Sequence, residues 1–171
     1  MPVKSATRAN RDAFIGAMAS VATGVSIVST DGPAGRFAMT VSAFNSVSAD
    51  PPTLLACLNR KSPLVEAVKR NGVFCINVLG AGQSEIADRF AGRPREGAPY
   101  DFDCASWRLL DTGAPCLAEA AASFDCEFDS AVEQGTHLVL FGRVVAVAHH
   151  GCHALVYAHR TYGRPHLIAA E

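Results

Sequence analysis

The sequence has almost no excess charge of either sign. Its 15 lysines and arginines stand against 16 aspartates and glutamates, a formal net charge of −1. No basic surplus points to nucleic acid or to an anionic membrane surface as a partner. Long hydrophobic runs are missing as well. Leu138 to Phe141 and Val144 to Ala148 are separated by Gly142 and Arg143. Each is strand-length, too short to span a bilayer. Met1 to Ser5 carry charge without an apolar core behind them, so they do not read as a secretory signal, and a cytoplasmic location is expected. Paired cysteines are also absent. The six at 57, 75, 104, 116, 126 and 152 form no CxxC and no even spacing, so no metal site is expected from them. Cys57, Cys75 and Cys126 lie in strand-like apolar patterns and read as buried, reduced thiols. Finally, Gly32, Gly35, Gly80 and Gly82 do not make GxGxxG, and no GK[ST] occurs, which leaves no Rossmann-type dinucleotide loop.

What is present reads as a single domain over residues 1–171, long enough for a real core. Phe14, Ile15, Met18, Val21 and Ala22 have helical spacing over residues 12–22. A short strand follows over 25–30, then a turn cluster at Asp31 to Gly35. Further strands are expected over about 36–48, bent by small residues, and over 53–58, nearly all apolar and so buried on both faces. Ser62-Pro63 opens a helix that Asn71-Gly72 ends. A strand is expected at 73–79, a short helix at 83–90, a surface loop at 92–103 and a short strand at 107–110. Phe124, Cys126, Phe128 and Val132 alternate with acidic residues in a half-exposed strand. Gln134-Gly135 turns the chain into a long strand over 137–147, and 155–158 is the last. Short strands with few helices, and no regular βαβ alternation, predict a mainly β fold: an antiparallel barrel with peripheral helices.

Ala38 to Pro52 stands out within that pattern. Thr40, Ser42 and Ser46 place hydroxyls beside backbone that small neighbours leave approachable, which suits a strand lying against a flat polar ligand. Ser62, at a helix start, and the adjacent Lys61 suit an anion such as a phosphate. Plain readings stand beside these. The hydroxyls could be ordinary strand polarity, Ser62 a helix cap only and Lys61 a solvated cation. Arg89 could pair with Glu85 one helical turn away, Phe90 could be core and His137 surface. Asn77, inside a buried strand, calls for a structural hydrogen bond. His149-His150-Gly151-Cys152-His153 resembles a metal cluster but reads as a polar turn between strands, since no carboxylate or second ligand pair accompanies it.

The chain resembles the short-chain flavin reductase family. The resemblance rests on Ala19 to Thr30 (ASVATGVSIVST), Met39 to Pro52, Cys57 to Ser62 and Phe74 to Leu79. Ala87-Asp88-Arg89-Phe90-Ala91, Gly142-Arg143-Val144 and Tyr157 to Tyr162 complete it. Each piece is short, and their order and spacing carry the match. It implies an antiparallel Greek-key, FMN-binding split β-barrel. It implies a homodimer that uses NADH or NADPH to reduce FMN or FAD and supplies reduced flavin to a partner flavin-dependent monooxygenase. The family's pattern would put Thr40, Val41, Ser42, Ala43, Phe44, Ser46 and Val47 along the isoalloxazine and ribityl chain. Asn59, Lys61 and Ser62 would hold the phosphate, and Arg89 and Phe90 would complete the flavin site. His137, His159, Arg160 and Tyr162 would face the nicotinamide, with His137 and Tyr162 shaping the slot over the flavin. Hydride transfer between two cofactors needs no side-chain nucleophile, so the lack of a catalytic triad is expected. A non-catalytic flavin- or haem-binding protein on the same scaffold is the alternative, with His149, His150 or His153 as a possible axial ligand.

Overall fold

The structure, a computed structural model, describes residues 10–166. The reading of Met1 to Ser5 lies outside the described residues. The chain runs α1 (Arg11–Ala19), β1 (Thr23–Gly24), β2 (Ser26–Thr30), β3 (Phe37–Val41), β4 (Phe44–Ala49), β5 (Pro52–Asn59), α2 (Pro63–Asn71), β6 (Val73–Val78) and α3 (Ser84–Phe90). A 3-10 turn at Phe102–Cys104 precedes β7 (Trp107–Leu109), β8 (Pro115–Leu117), β9 (Ala122–Gln134), β10 (His137–His149), β11 (Val156–Ala158) and β12 (Thr161–Gly163). No helix among the described residues is long and apolar enough to cross a membrane.

Seven strands form one antiparallel sheet in the order β3-β2-β6-β9-β10-β5-β4. Its two edge strands, β3 and β4, follow each other in the chain with only Ser42 and Ala43 between them. Val41 and Phe44 are three peptide steps apart, at most about 11 Å. The sheet must therefore curl until its edges almost meet, which gives a barrel left split along the β3–β4 corner. Cys57 N donates to Ala43 O at 2.8 Å and stitches that corner to β5.

The inside of the curl holds Val28, Val41, Leu54, Ala56, Leu58, Phe74, Ile76 and Leu140, with Leu64, Val65 and Val68 of α2 laid against them. Helix α2 forms as its sequence predicts. Ser62 caps it by accepting from Leu64 N at 3.3 Å, Pro63 occupies its first position, and Gly72 ends it at φ 73°. A second cluster covers the outer face of β2 and β3. It joins Ile27, Ala38, Leu79, Ala87, Phe90 and Leu117 to Phe102, Trp107, Tyr157 and Tyr162. Strand β2 is thus buried on both faces along its whole length. At Gly142 a Cβ would collide with the ring of Phe74, which reaches across β9 from β6, so only glycine leaves room for that ring.

Burial on both faces obliges the polar residues of this region to find partners. Ser26 donates to Val41 O at 2.9 Å and Thr30 to Val73 O at 2.7 Å. Asn77, fully buried on β6, is the hub. Its Nδ2 donates to Ile27 O at 3.2 Å and to Ser29 Oγ at 3.0 Å. Its Oδ1 accepts from Leu117 N at 2.7 Å, Ser123 Oγ at 2.9 Å and Cys75 Sγ at 3.4 Å.

Four expectations change. Helix α1 stops at Ala19 with Ser20 as its cap, and none of its residues is buried. Strand β5 buries only Leu54, Ala56 and Leu58; Thr53, Leu55 and Cys57 remain half-exposed because nothing described packs on that face. Cys57 is accordingly not a buried thiol. Strands β8 and β12, three residues each, escape periodicity because so short a run has no period.

Replacing Asn77 by Ala strands the partners on β2, β8 and β9. Urea denaturation of this variant is expected to show a loss of about 3 kcal/mol or more. Ser46→Ala, on the exposed edge, is expected to stay within about 0.5 kcal/mol. Equal midpoints for the two variants would contradict the hub.

Candidate functional site

Strand β3 pairs with β2 on one side only, so its other edge keeps free backbone groups. Two cavities open along that edge. One, of about 190 Å³, is lined by Val25, Thr40, Ser42, Ala91, Arg93, Tyr157 and Tyr162. The other, of about 290 Å³, lies further along the strand and reaches Ser62 at the start of α2. Edge strand and helix start meet directly: Ser62 Oγ stands 3.3 Å from Met39 Sδ.

The expected wall residues divide by the direction of their side chains. Ser42, Ala43, Ser46 and Val47 are exposed. Thr40 lines the smaller cavity, but its hydroxyl donates to Ala87 O at 2.6 Å and so ties α3 to β3. The Val41 side chain is buried in the main core and Phe44 packs against that core, so only their backbones remain for a ligand. Both were expected along the ring; the corner at Ser42 and Ala43, which ends one strand and starts the next, lets both side chains face the core.

The Asn59–Ser62 corner is a built turn. Asn59 Oδ1 accepts from Lys61 N at 3.0 Å, and Ser62 N donates to Asn59 O at 2.9 Å. Asn59 and Lys61 are exposed. Ser62 satisfies much of its own helix start, because Oγ accepts from Leu64 N and its carbonyl accepts from Val65 N, while Pro63 has no N–H. The Ser62 hydroxyl proton meets only a thioether, a weak acceptor. That proton, the Asn59 amide and the Lys61 ammonium are the donors the corner can offer an anion, with the α2 dipole behind them.

Two of the expected flavin residues make their contacts within the protein. Arg89 turns to the 92–101 loop: Nη1 donates to Ala98 O at 2.9 Å and lies 3.9 Å from the Asp101 carboxylate. It makes no ion pair with Glu85, and it lines neither cavity along the β3 edge; with Glu85, Pro94, Arg95 and Glu96 it lines a separate one of about 310 Å³. Phe90 is core, with its ring edge-on to Phe102 at 5.2 Å and to Trp107 at 5.7 Å. The nicotinamide-side residues also separate. His137 sits opposite Asn59 in the ladder, its Nδ1 2.9 Å from Thr136 Oγ1, and lines neither cavity. His159 and Arg160 are the two exposed residues of the β11–β12 turn, with φ of 49° and 61°, as a two-residue primed hairpin turn demands. The backbone N–H of His159 donates to Ala19 O at the end of α1.

Tyr162 is the expected residue that the fold brings to the smaller cavity beside Thr40 and Ser42. Its hydroxyl donates to Asp88 Oδ1 at 2.8 Å, and Arg93 Nε stands 3.7 Å from the same oxygen. Tyr157 meets it edge-on at 5.2 Å. Sequence reasoning missed Asp88, Arg93 and Tyr157. Asp88 and Tyr157 were inside motifs already singled out; Arg93 lies two residues beyond one, in a loop without periodicity.

With this geometry in view, comparison with known proteins is decisive. The model of the family described as "Flavin reductase like domain" matches residues 18–166. The chain belongs to that family. It is 48% identical over 149 residues to the protein named FMN reductase (NADH) RutF of Bradyrhizobium diazoefficiens, covering 85% of this chain and 81% of that one. Among solved structures it is similar to the styrene monooxygenase flavin reductase SMOB of Pseudomonas putida S12. That match has a TM-score of 0.79 and 29% identity, over 91% of this chain and 99% of that chain. It is also similar to the Streptomyces globisporus C-1027 NADH:FAD oxidoreductase SgcE6 in complex with NAD and FAD fragments. There the TM-score is 0.84 and the identity 26%, over 94% and 96% of the two chains.

In this flavin reductase fold Tyr162 does not serve as an acid near neutrality. Burial, then the hydrogen bond to the Asp88 carboxylate, pushes its hydroxyl up to about 12. It stays protonated and holds Asp88. A group raised in the folded state contributes stability below its ordinary value near 10, and that contribution fades as pH rises through 12. Spectrophotometric titration is expected to show a tyrosine step near pH 12 that Tyr162→Phe removes. An unchanged titration in that variant would contradict the Asp88 contact.

Proposed function

We propose that this protein is an NADH-dependent FMN reductase that releases reduced flavin to a separate flavin-dependent monooxygenase. One observation carries the reading. The open β3 edge with its small polar residues and the Asn59–Ser62 corner are in contact through Met39 and Ser62. A flat ring with a phosphate tail fits that pairing. The relatives named FMN reductase (NADH), and the reductase that serves a styrene monooxygenase, support the cofactor, the donor and the partner class.

The flavin and the nicotinamide supply the redox chemistry, a hydride passing from one ring to the other. The protein's residues bind and orient. The free edge of β3 offers backbone N–H and C=O groups to the polar rim of the ring, and Ser42 and Ala43 leave that backbone uncovered. Asn59, Lys61 and Ser62 offer the phosphate an amide, an ammonium and a hydroxyl. Tyr157 and Tyr162 wall the slot, with Tyr162 held by Asp88. Arg93, beside that slot, adds positive charge.

We infer a homodimer from α1. Phe14 and Met18 are 61% and 46% exposed, and no residue of the helix is buried. The end of α1 touches the His159–Arg160 turn, which follows Tyr157 and precedes Tyr162. A second copy seated on α1 would therefore border the slot.

NADH consumption followed at the nicotinamide absorbance band is expected to require added FMN. Its absence with every flavin and nucleotide pair would overturn the reading. Lys61→Ala and Ser62→Ala are each expected to raise KM for FMN about tenfold relative to KM for riboflavin, which lacks the phosphate; tenfold is about 1.4 kcal/mol, the worth of one hydrogen bond to a charged group. In sedimentation the protein is expected to run as a dimer, and Met18→Asp to shift it toward monomer.

A further inference from the structure

Two of the six cysteines meet in a part of the fold that the proposed flavin site does not use. Cys75 of β6 and Cys116 of β8 are fully buried and pack with Ala114 in a small cluster of their own. Their strands are clamped at this point. Asn77, two residues from Cys75, holds the neighbours of Cys116 on both sides. Its Oδ1 accepts from Leu117 N at 2.7 Å and its Nδ2 donates to Pro115 O at 3.4 Å. Ser29 Oγ spans the carbonyl oxygens of Cys75 and Pro115, at 3.4 and 2.5 Å. The Cys75 thiol proton has two acceptors within reach, Asn77 Oδ1 at 3.4 Å and the Cys116 sulfur.

A cation completes the group. Arg108 of β7 lies opposite Cys116 in the β7–β8 ladder, so the two side chains share a face. Its Nη2 is 2.9 Å from His150 Nε2, while its Nε is buried without a hydrogen-bond partner. A buried donor without a partner is costly, and a negatively charged sulfur beside it lessens that cost. The hydrogen bond from Cys75, and after it the Arg108 guanidinium, outweigh burial and hold the Cys116 thiol below the ordinary thiol range. The contact with Cys116, then burial, pushes Cys75 the other way. One thiol is thus prepared as a nucleophile and its neighbour stays protonated. Cys126, buried in the main core, is instead pushed up to about 12, by burial and then by Asp125.

We propose that Cys116 and Cys75 form a peroxide-reactive dithiol that closes to a disulfide between β6 and β8. The Cys116 thiolate attacks one oxygen of hydrogen peroxide; the O–O bond breaks, leaving a sulfenic acid on Cys116 and releasing hydroxide. The Cys75 sulfur then attacks the Cys116 sulfur. The S–S bond forms, the S–O bond breaks, and the hydroxyl leaves with the Cys75 proton as water. The two sulfurs lose two electrons, and the peroxide takes them. The source of the oxidant rests on the reading that reduced flavin leaves the protein: dioxygen takes two electrons and two protons from free reduced flavin and becomes hydrogen peroxide. Access comes through β7. It is three residues long and pairs with β8 in a two-stranded sheet, and Leu109 at its end is 62% exposed. So short a ribbon opens locally at small cost. Once formed, the disulfide encloses residues 76–115, which carry α3 and the 92–101 loop, with Ala91 and Arg93 of the slot. Asn77 Oδ1 keeps its bonds from Leu117 and Ser123, so the hub survives and the cross-link tethers that wall of the slot.

The test is mass spectrometry of the full chain after brief treatment with hydrogen peroxide at about pH 6, where ordinary thiols are almost wholly protonated. A linked pair of peptides containing Cys75 and Cys116 is expected before the exposed Cys152 or the half-exposed Cys57 is oxidised, and dithiothreitol is expected to reverse it. Cys75 and Cys116 still reduced once Cys152 has reacted would overturn the proposal. Cys75→Ala is expected to leave a Cys116 sulfenic acid that dimedone traps, and Cys116→Ala to leave Cys75 unreactive; the reverse result overturns the roles. Arg108→Gln is expected to slow disulfide formation about tenfold, through loss of the charge that favours the thiolate. Acceleration in that variant overturns the role given to Arg108. The linked form is expected to unfold at a higher urea concentration than the reduced form, and a lower midpoint overturns the tether. Should the two cysteine variants fail to fold, the linked peptides of the unaltered chain still decide. Turnover with NADH and FMN in air is expected to form the same link, and catalase to prevent it. If added peroxide forms the link and turnover does not, the release of reduced flavin fails and the dithiol stands.

Discussion

The rest of the structure depends on a buried amide. Asn77 on β6 holds β2 through Ile27 and Ser29, β8 through Leu117, and β9 through Ser123. No apolar side chain of its size could replace those bonds, because each partner would be left buried and unpaired. The constraint follows from the architecture. Layers on both faces of β2 and β6 remove water from the middle of the sheet, so every polar group there must be answered from within the protein. Packing alone would allow β8 to slide; the Asn77 carbonyl oxygen on Leu117 N fixes its register. Strand β7 pairs with β8, and together they carry Trp107 and Leu117 under α3.

With β2 and β6 fixed, β3 becomes the open edge on which the proposed site is built. It is held on one side by β2, and the barrel stops short of closing against β4. Closure would have spent its free backbone groups on another strand. The split leaves them unpaired with any strand, and Thr40 on Ala87 O ties α3 beside the opening. One strand therefore does three jobs. Phe37, Met39 and Val41 fill the inner core, Ala38 and Thr40 anchor the outer layer, and the edge between them faces both cavities.

Polar chemistry around the site is organised to hold shape. Tyr162 stays protonated because it is partly buried and faces a carboxylate, so its hydroxyl donates to Asp88. Arg89 orders a loop, Asn59 orders a turn, and Asp31 orients Arg36. This suits a reaction whose reactive centres lie in cofactors, where the protein's contribution is position and exclusion of water.

The sequence by itself determined much of this. Ser62-Pro63 and Gly72 delimit α2 because capping and left-handed φ are local needs. The alternation over residues 124–132 marks β9, and the bend between residues 36 and 48 is visible in its small residues. The family was legible from ordered short motifs, and with it the candidate wall and phosphate corner. Only the tertiary structure decided which way each side chain in those motifs points. Val41, Phe44 and Phe90 went to the core, Thr40 and Arg89 to structural bonds, and Asp88, Arg93 and Tyr157 joined Tyr162 at the slot. The reason is physical: capping and periodicity act within a few residues, whereas a cavity is made by residues distant in sequence. Tyr162 and Asp88 meet across 74 positions, and no local pattern encodes that meeting.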